Sequence, residues 1–451
     1  MVFEFLRNAG AFIVALGILV AVHEWGHYYV ARLCGVYVKR FSIGFGKPLW
    51  RKQGSNGTEF VVAAIPLGGY VRMLDERVDD VPAELSSQAF NRQSVAKRMA
   101  IIAAGPGVNF IFAAIALYAM FLIGISTVKP VIGDIAPQSI AANAGLAAGD
   151  EIIQVGSRHT PDWEAVNFEL ISHVGDSSMA VTVKNANGVT QQRELLIDGW
   201  NFDSDSESPL RSVGITPFTP AATLNVAFVG EGSAAKSAGV QVGDTIVALN
   251  GETVADWQSL VAFVKDNPGE HVTLSVNRAG QTYDLSATIG RRDTPEGQDG
   301  YLGVSPYAEA WPEGYVFTHQ YGVFEAMGKA VDKTWRLMTL SIEMIGKLVT
   351  GDVSVKNLSG PISIAQGAGS SVGYGLVYFL SFLALISVNL GIVNLLPLPM
   401  LDGGHLMYFT IEWLTGKPVS EEIQEWGFKI GAMLLFTIMS IAIFNDITRL
   451  S

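Results

Sequence analysis

Residues 9–27 read Ala9-Gly10-Ala11-Phe12-Ile13-Val14-Ala15-Leu16-Gly17-Ile18-Leu19-Val20-Ala21-Val22-His23-Glu24-Trp25-Gly26-His27. Up to Val22 the run is almost wholly apolar, and with its flanks it is long enough to cross a bilayer as a helix. His23 and His27 stand four residues apart, so a helix puts both on one face, and Glu24 between them can reach water activated at a metal they hold. An H-E-x-x-H string alone arises by chance, and a lone histidine on an apolar helix is usually structural. Three ionisable side chains in one span are different, because each needs a partner there and such clusters are functional by default. The reading is metal-assisted hydrolysis of peptide bonds within a membrane.

The rest of the composition agrees. The 451 residues leave room for several domains, 49% of them are hydrophobic and 16% charged, and the mean hydropathy is positive. That is too apolar for an ordinary soluble enzyme and too charged for a simple bundle of spans. Four stretches qualify as spans: about residues 8–31, 99–125, 374–398 and 429–444, the last one short. The first resembles a secretion signal in position, but its n-region is weak, with Arg7 offset by Glu4, and no small-residue cleavage site precedes His23. It reads as an uncleaved span.

Charge sets the expected topology. Residues 31–98 hold 11 Lys/Arg against 6 Asp/Glu, whereas residues 127–320 hold 10 against 24. Arg32, Lys39, Arg40, Lys97 and Arg98 lie beside the first two spans, so the positive-inside rule puts 31–98 in the cytoplasm and the acidic region across the membrane. The C-terminus then points outward. Cys34 is the one cysteine, so no intrachain disulfide forms.

The acidic region contains a repeat. Ser139-Ile140-Ala141-Ala142 and Ala144-Gly145-Leu146-Ala147-Ala148-Gly149-Asp150-Glu151-Ile152-Ile153 return 94 residues on, as Ser233-Ala234-Ala235-Lys236 and Ala238-Gly239-Val240-Gln241-Val242-Gly243-Asp244-Thr245-Ile246-Val247. Asp162-Trp163 and Asp256-Trp257 keep that offset. Each copy fits a short helix ended by glycine, a Gly-Asp turn and an alternating strand. The pattern resembles PDZ domains of bacterial proteases, which bind extended peptide ends by strand addition. Val213-Gly214-Ile215 and Leu302-Gly303-Val304 look like the apolar-Gly-apolar peptide-binding strand, with Ile215 and Val304 as candidate contacts; an ordinary core strand is the equal alternative. The first copy departs from the pattern with Gly156-Ser157 in place of an Asn-Gly turn.

Residues 36–75 read as hairpin strands: 36–41, a Gly44-Phe45-Gly46 break, 48–52, a Gly54-Ser55-Asn56-Gly57 turn, 58–65 and 69–73. An unpaired edge there would bind an unwound substrate strand, while a brace for the helices is the plain alternative. Residues 312–350 look helical and amphipathic, suited to the outer membrane surface or to packing on the first repeat. In Asn394-Leu395-Leu396-Pro397-Leu398-Pro399-Met400-Leu401-Asp402-Gly403-Gly404-His405 the prolines prevent a regular helix and the glycines allow close backbone approach. Zinc wants a third protein ligand, and Asp402 and His405 are both candidates.

Taken together, the H-E-x-x-H, the N-x-x-P-x-P-x-L-D-G stretch from Asn394 to Gly403 and the paired repeats resemble the site-2 protease family over essentially the whole chain. The double repeat, four spans and Ile65-Pro66-Leu67-Gly68-Gly69-Tyr70 match its branch in Gram-negative bacteria. The resemblance implies zinc held by His23, His27 and Asp402, with Glu24 as general base. It implies that Asn394 holds substrate backbone and that Gly44 and Gly46 belong to a membrane-re-entrant hairpin that contacts substrate. The implied substrates are single-span membrane proteins, namely a trimmed anti-sigma factor of an envelope-stress cascade and remnant signal peptides, with the PDZ pair as a size-exclusion filter.

The expected fold is a multi-domain integral membrane protein: a four-helix transmembrane zinc protease core with a re-entrant β-hairpin, tandem α+β PDZ domains and an amphipathic helix. Its parts are a first transmembrane helix (1–34), the hairpin region and loop (35–97), a second transmembrane helix (98–126), PDZ domains at 127–217 and 218–308, the amphipathic segment (309–370), a third transmembrane helix (371–400), a cytoplasmic loop (401–426) and a fourth transmembrane helix (427–446). The expected location is the bacterial inner membrane, with the repeats and C-terminus periplasmic and the active site near the cytoplasmic face. The lipid bilayer is an implied partner and nucleic acid is not. An inactive membrane-anchored PDZ adaptor is the competing reading, opposed by the intact Glu24 and Asp402. A metal transporter is a third, but the spans offer no further carboxylates or histidines for a pathway.

Overall fold

The computed structural model describes residues 2–200, 208–294 and 297–450. Contacts divide the chain into two compact units, one of 1–216 with 317–451 and one of 217–316. Helices α1 (Val2–Leu33), α2 (Val95–Ile123), α7 (Leu376–Leu395) and α9 (Glu421–Leu450) carry the long apolar stretches. Within them Glu4–Leu33, Val95–Ile123, Leu376–Leu395 and Glu421–Arg449 are long and apolar enough to cross a membrane. Small residues set the close approaches. Ala113, Ala116 and Leu117 of α2 pack against Ala384, Val388 and Ile392 of α7, and a Cβ on Gly26 of α1 would sit 2.5 Å from the Ala104 carbonyl oxygen. Helix α2 is thus the pillar, with α1 on one side and α7 on another.

Between α1 and α2 the strands β1 (Val38–Gln53) and β2 (Glu59–Met73) form more than a hairpin. Residues 38–43 pair on one side with 69–73 and on the other with 59–62, which in turn pair with 50–53. The sheet is therefore four segments wide, with 50–53 and 69–73 outermost. The expected break at Gly44-Phe45-Gly46 is instead a continuous strand that bends: φ is +89° at Gly44 and +88° at Gly46, values only glycine adopts cheaply. A Cβ on Gly44 would also lie 2.8 Å from the Ile65 carbonyl oxygen.

The first repeat has a sheet of Arg158–His159, Glu151–Val155, Ser178–Lys184 and Thr190–Leu196 in that order, covered by helix α3 (Trp163–Ser172). Ile132, Ile152, Val166, Leu170 and Leu195 fill its core. In the second repeat the order is Gln281–Thr288, His271–Arg278, Thr245–Leu249, Ala222–Val229, Val304–Ala308, with helix α4 (Trp257–Asp266) against a core of Val226, Ile246, Leu260 and Leu274. The first repeat belongs to the unit that holds the apolar helices, and the second is a unit of its own.

Three expectations need correction. Residues 312–322 are not helical: Val316–His319 is a strand paired with Ile125–Val128, and the amphipathic helix α5 begins only at Val323 and runs to Thr350. A second helix, α6 (Pro361–Tyr374), fills the rest of that segment. The 401–426 stretch, expected as a loop, is mostly helix α8 (Asp402–Thr415), because Gly403 and Gly404 let its first turn fold back on Leu395 to Pro399. The fourth apolar helix runs over Glu421–Leu450, well beyond 429–444. Its Asp446 accepts from the N–H groups of Gly360 (3.0 Å) and Ile362 (2.8 Å), so the acid caps α6 from another helix.

Candidate metal centre and active site

The helical pitch places His23 and His27 one turn apart on α1, their ring centroids 4.8 Å apart. Their Nε2 atoms are 3.2 Å apart. Into this pair comes Asp402, the first residue of α8: its Oδ2 lies 3.3 Å from His23 Nε2 and 3.4 Å from His27 Nε2. Among the described residues this is the one group of three such donors close enough to hold a metal, and all its ligand atoms lie within 4.8 Å of one another. His405, the rival third ligand, is exposed and outside the cluster.

The arrangement suits zinc on two observations. Two imidazole nitrogens and one carboxylate oxygen form a hydrolytic zinc donor set that leaves a position for water. Asp402 Oδ2 is buried yet receives no hydrogen bond from the protein, a costly state for a carboxylate oxygen unless a cation faces it.

The cluster is held from behind by α2. His27 Nδ1 donates to the Ile101 carbonyl oxygen at 2.9 Å, which leaves Nε2 as its free electron pair. A Cβ on Gly105 would overlap the His27 ring and lie 2.9 Å from His23 Cε1, so only glycine lets the two helices come this close. Asn109, one turn further on and fully buried, places its carboxamide 3.1 Å from His23 Nδ1. Helix α8 is fixed separately: Arg98 of α2 donates to Glu412 at 2.7 Å and its guanidinium lies 4.8 Å above the Phe409 ring. Neither the Asn109 contact nor the Arg98–Glu412 pair has a local signal in the sequence. A single asparagine in a span carries no periodic signal, and the charge pair joins residues 314 positions apart.

Glu24 follows His23 on α1 and is half-buried. The outer segment of the sheet passes it closely: a Cβ on Gly69 would lie 2.9 Å from Glu24 Cγ and 2.6 Å from the Ser42 carbonyl oxygen. Gly44 and Gly46 lie in the bend of that same sheet and are not part of the donor cluster. Asn394, near the end of α7, is half-buried, and its carboxamide has no hydrogen-bond partner among the described residues. Ile215 is buried in the core of the first repeat, while Val304 opens the edge strand Val304–Ala308 of the second.

Comparison with known proteins agrees with this chemistry. The model of peptidase family M50 matches residues 11–438. The chain is 51% identical over 450 residues to a "Putative zinc metalloprotease" of Vibrio cholerae serotype O1, covering 99% of this chain and all of that one. It is 49% identical over 449 residues to the "Regulator of sigma-E protease RseP" of Escherichia coli K12, with 99% and 100% covered. With the "Regulator of sigma E protease" of Haemophilus influenzae it shares 46% over 448 residues, again 99% and 100% covered. A cluster of two histidines on an apolar helix and one aspartate, a family match across nearly the whole chain and full-length relatives near half identity carry one conclusion: this chain belongs to peptidase family M50, as a zinc metalloprotease of the site-2 type.

Proposed function

We propose that the chain is an intramembrane endopeptidase of the bacterial inner membrane, holding zinc through His23, His27 and Asp402 and cutting single-span membrane proteins. The observation that carries this reading is the meeting of the three donor atoms within 4.8 Å beside Glu24. When bound there, zinc supplies the Lewis acidity that activates water and polarises a carbonyl. Glu24 takes the proton from the attacking water and delivers it to the leaving amine. The close passage of Gly69 over Glu24 supports substrate entering as a strand along the outer sheet segment 69–73. An unwound backbone offers its scissile bond to Glu24, whereas a helix keeps it enclosed. Asn394, with a carboxamide free of protein partners among the described residues, holds that backbone from the α7 side. The Gly44 and Gly46 bend keeps the sheet curled towards α1.

The same reading puts the acidic repeats and the C-terminus in the periplasm and the metal centre near the cytoplasmic face, as the basic flanks of the first two spans require. The repeats are PDZ domains that exclude substrates with bulky outer portions. In the second repeat a cavity of about 340 Å³ lies between α4 and the edge strand, lined by Trp257, Leu260, Val264, Leu302 and Val304, which supports peptide binding there. Relatives named as regulators of sigma-E support a trimmed anti-sigma factor as one substrate; remnant signal peptides are a second class.

The deciding experiment is Glu24→Gln. A purified variant that retains zinc but no longer cleaves a single-span substrate is the expected result, with a loss of at least about a hundredfold. Cleavage at the wild-type rate would remove Glu24 from its role. Wild-type zinc content in Asp402→Ala would remove the ligand set.

A further inference from the structure

We infer that Asn109 is the positioning residue that fixes the ring of His23, acting through an Oδ1···H–Nδ1 hydrogen bond on the side away from Asp402. The inference rests on the proposed ligand set and adds a residue to it.

The two histidines are not supported alike. His27 gives its Nδ1 proton to a main-chain carbonyl, that of Ile101. No substitution removes that acceptor. His23 has a side chain in the corresponding place, Asn109, at 3.1 Å from Nδ1. Since His23 Nε2 faces His27 Nε2 at 3.2 Å and Asp402 Oδ2 at 3.3 Å, Nε2 is the atom that offers its electron pair. The ring proton therefore sits on Nδ1, and what faces it must be an acceptor. The oxygen and nitrogen of a carboxamide are assigned by their partners and not by shape. Placed with the amide nitrogen towards His23, Asn109 leaves its Oδ1 buried without a partner. Turned about its last bond, it sets that oxygen on the Nδ1 proton. A donor then meets an acceptor, and the amide nitrogen takes the place that the oxygen held.

Asn109 is itself clamped. It is fully buried, and Ser387 of α7, also fully buried, donates its hydroxyl to the main-chain carbonyl oxygen of Asn109 at 2.8 Å. Gly105 precedes it by one turn on the same face and admits the rings. The Asn109 backbone is thus held from α7 while its carboxamide sets the orientation of the His23 ring, in the manner of partners that orient metal-bound histidines elsewhere.

The test is zinc affinity of the full-length protein in detergent, measured by competition with a chromophoric chelator, for Asn109→Leu, Asn109→Ser and Asn109→Asp beside His23→Ala. Leucine removes the acceptor at similar volume and serine is too short to reach, so each should weaken zinc about 10- to 100-fold. Aspartate keeps an acceptor and should restore affinity to within a few-fold of wild type. With cobalt(II) in place of zinc, the visible band should move in Asn109→Leu and return in Asn109→Asp, a readout that a purely structural role does not separate. If Asn109→Leu does not fold, the serine and aspartate pair decides alone. Equal affinity in those two, with His23→Ala having lost zinc, overturns the positioning role. Wild-type affinity in His23→Ala overturns the ligand set instead.

Discussion

The two repeats are assembled from the same parts and used differently. In each, a serine caps a short helix: Ser139 accepts from the Ala142 N–H and Ser233 from the Lys236 N–H, both at 3.1 Å. An aspartate then closes the turn, Asp150 accepting from Ala147 and Asp244 from Gln241. Another aspartate caps the long helix, Asp162 accepting from Ala165 and Asp256 from Ser259. All sit at the 94-residue offset. On the outward face of α3, however, Asp162 meets His319 at 2.9 Å, Glu164 meets Lys333 of α5 at 2.9 Å and Glu169 meets Arg336 of α5 at 2.5 Å. Lys347 of α5 also donates to the Ser172 carbonyl oxygen. At the same offset the second repeat carries Asp256, Gln258 and Phe263. The shared residues fold each repeat, and charges found only in the first tie it to α5.

The strongest way to break that comparison is at Arg336. Its partner Glu169 is mostly buried, so Arg336→Glu leaves a carboxylate among like charge. Loss of about 3 kcal/mol from the first repeat is expected, read as a lower thermal midpoint or faster limited proteolysis of residues 127–217. Partial rescue by adding Glu169→Arg would confirm the pairing, and no change in Arg336→Glu would refute it. Next comes Asp162→Ala, which removes both a cap and the His319 contact. It should cost about 2 kcal/mol, more than Asp256→Ala, which removes a cap alone. Equal costs would mean that the His319 contact contributes nothing.

Acid sharpens the same contrast. Burial pushes the Asp162 carboxyl up, but the His319 ring and the Ala165 N–H outweigh it and hold the group below the usual carboxylate range. A folded value beneath the unfolded one of about 3.9 means that this contribution is present above that pH and lost as pH falls through the lower folded value. The second repeat has its own acid-labile pair, since hydrogen bonds from Arg278 lower Asp244 against its burial. The informative measurement is therefore the difference between wild type and Asp162→Asn: the variant should lose stability at pH 6 and show a flatter decline below pH about 4. Smallest of all, Gln258→Glu should alter the second repeat by less than about 0.5 kcal/mol, because the charge alone creates no partner.

The legibility of the metal centre follows the same division. His23, Glu24 and His27 are readable because one turn of helix fixes their relation. Asp402 is named by a resemblance, and its meeting with the histidines is visible only once α8 has folded against α1 and α2. Asn109 is a lone polar residue in an apolar helix, and its contact with His23 depends on which face α2 turns inward. The sheet beside Glu24 shows the limit most clearly. Its strands are readable from alternating residues, yet residues 38–43 pair on both sides only because Gly44 and Gly46 bend the chain back. The pairing of Val316–His319 with Ile125–Val128 has no local signal at all.

By itself the sequence determined the four apolar helices, the double repeat with its capping residues and the histidine pair on one helical face. Each of these depends on periodicity or hydrogen bonding within a turn or two of chain. The tertiary structure alone decided that Asp402 excludes His405 from the cluster, that Asn109 stands behind His23, that Gly69 passes over Glu24 and that α3 is tied to α5. Those contacts join residues far apart in sequence, and they exist only where small side chains let helices and strands approach closely enough for distant polar groups to meet.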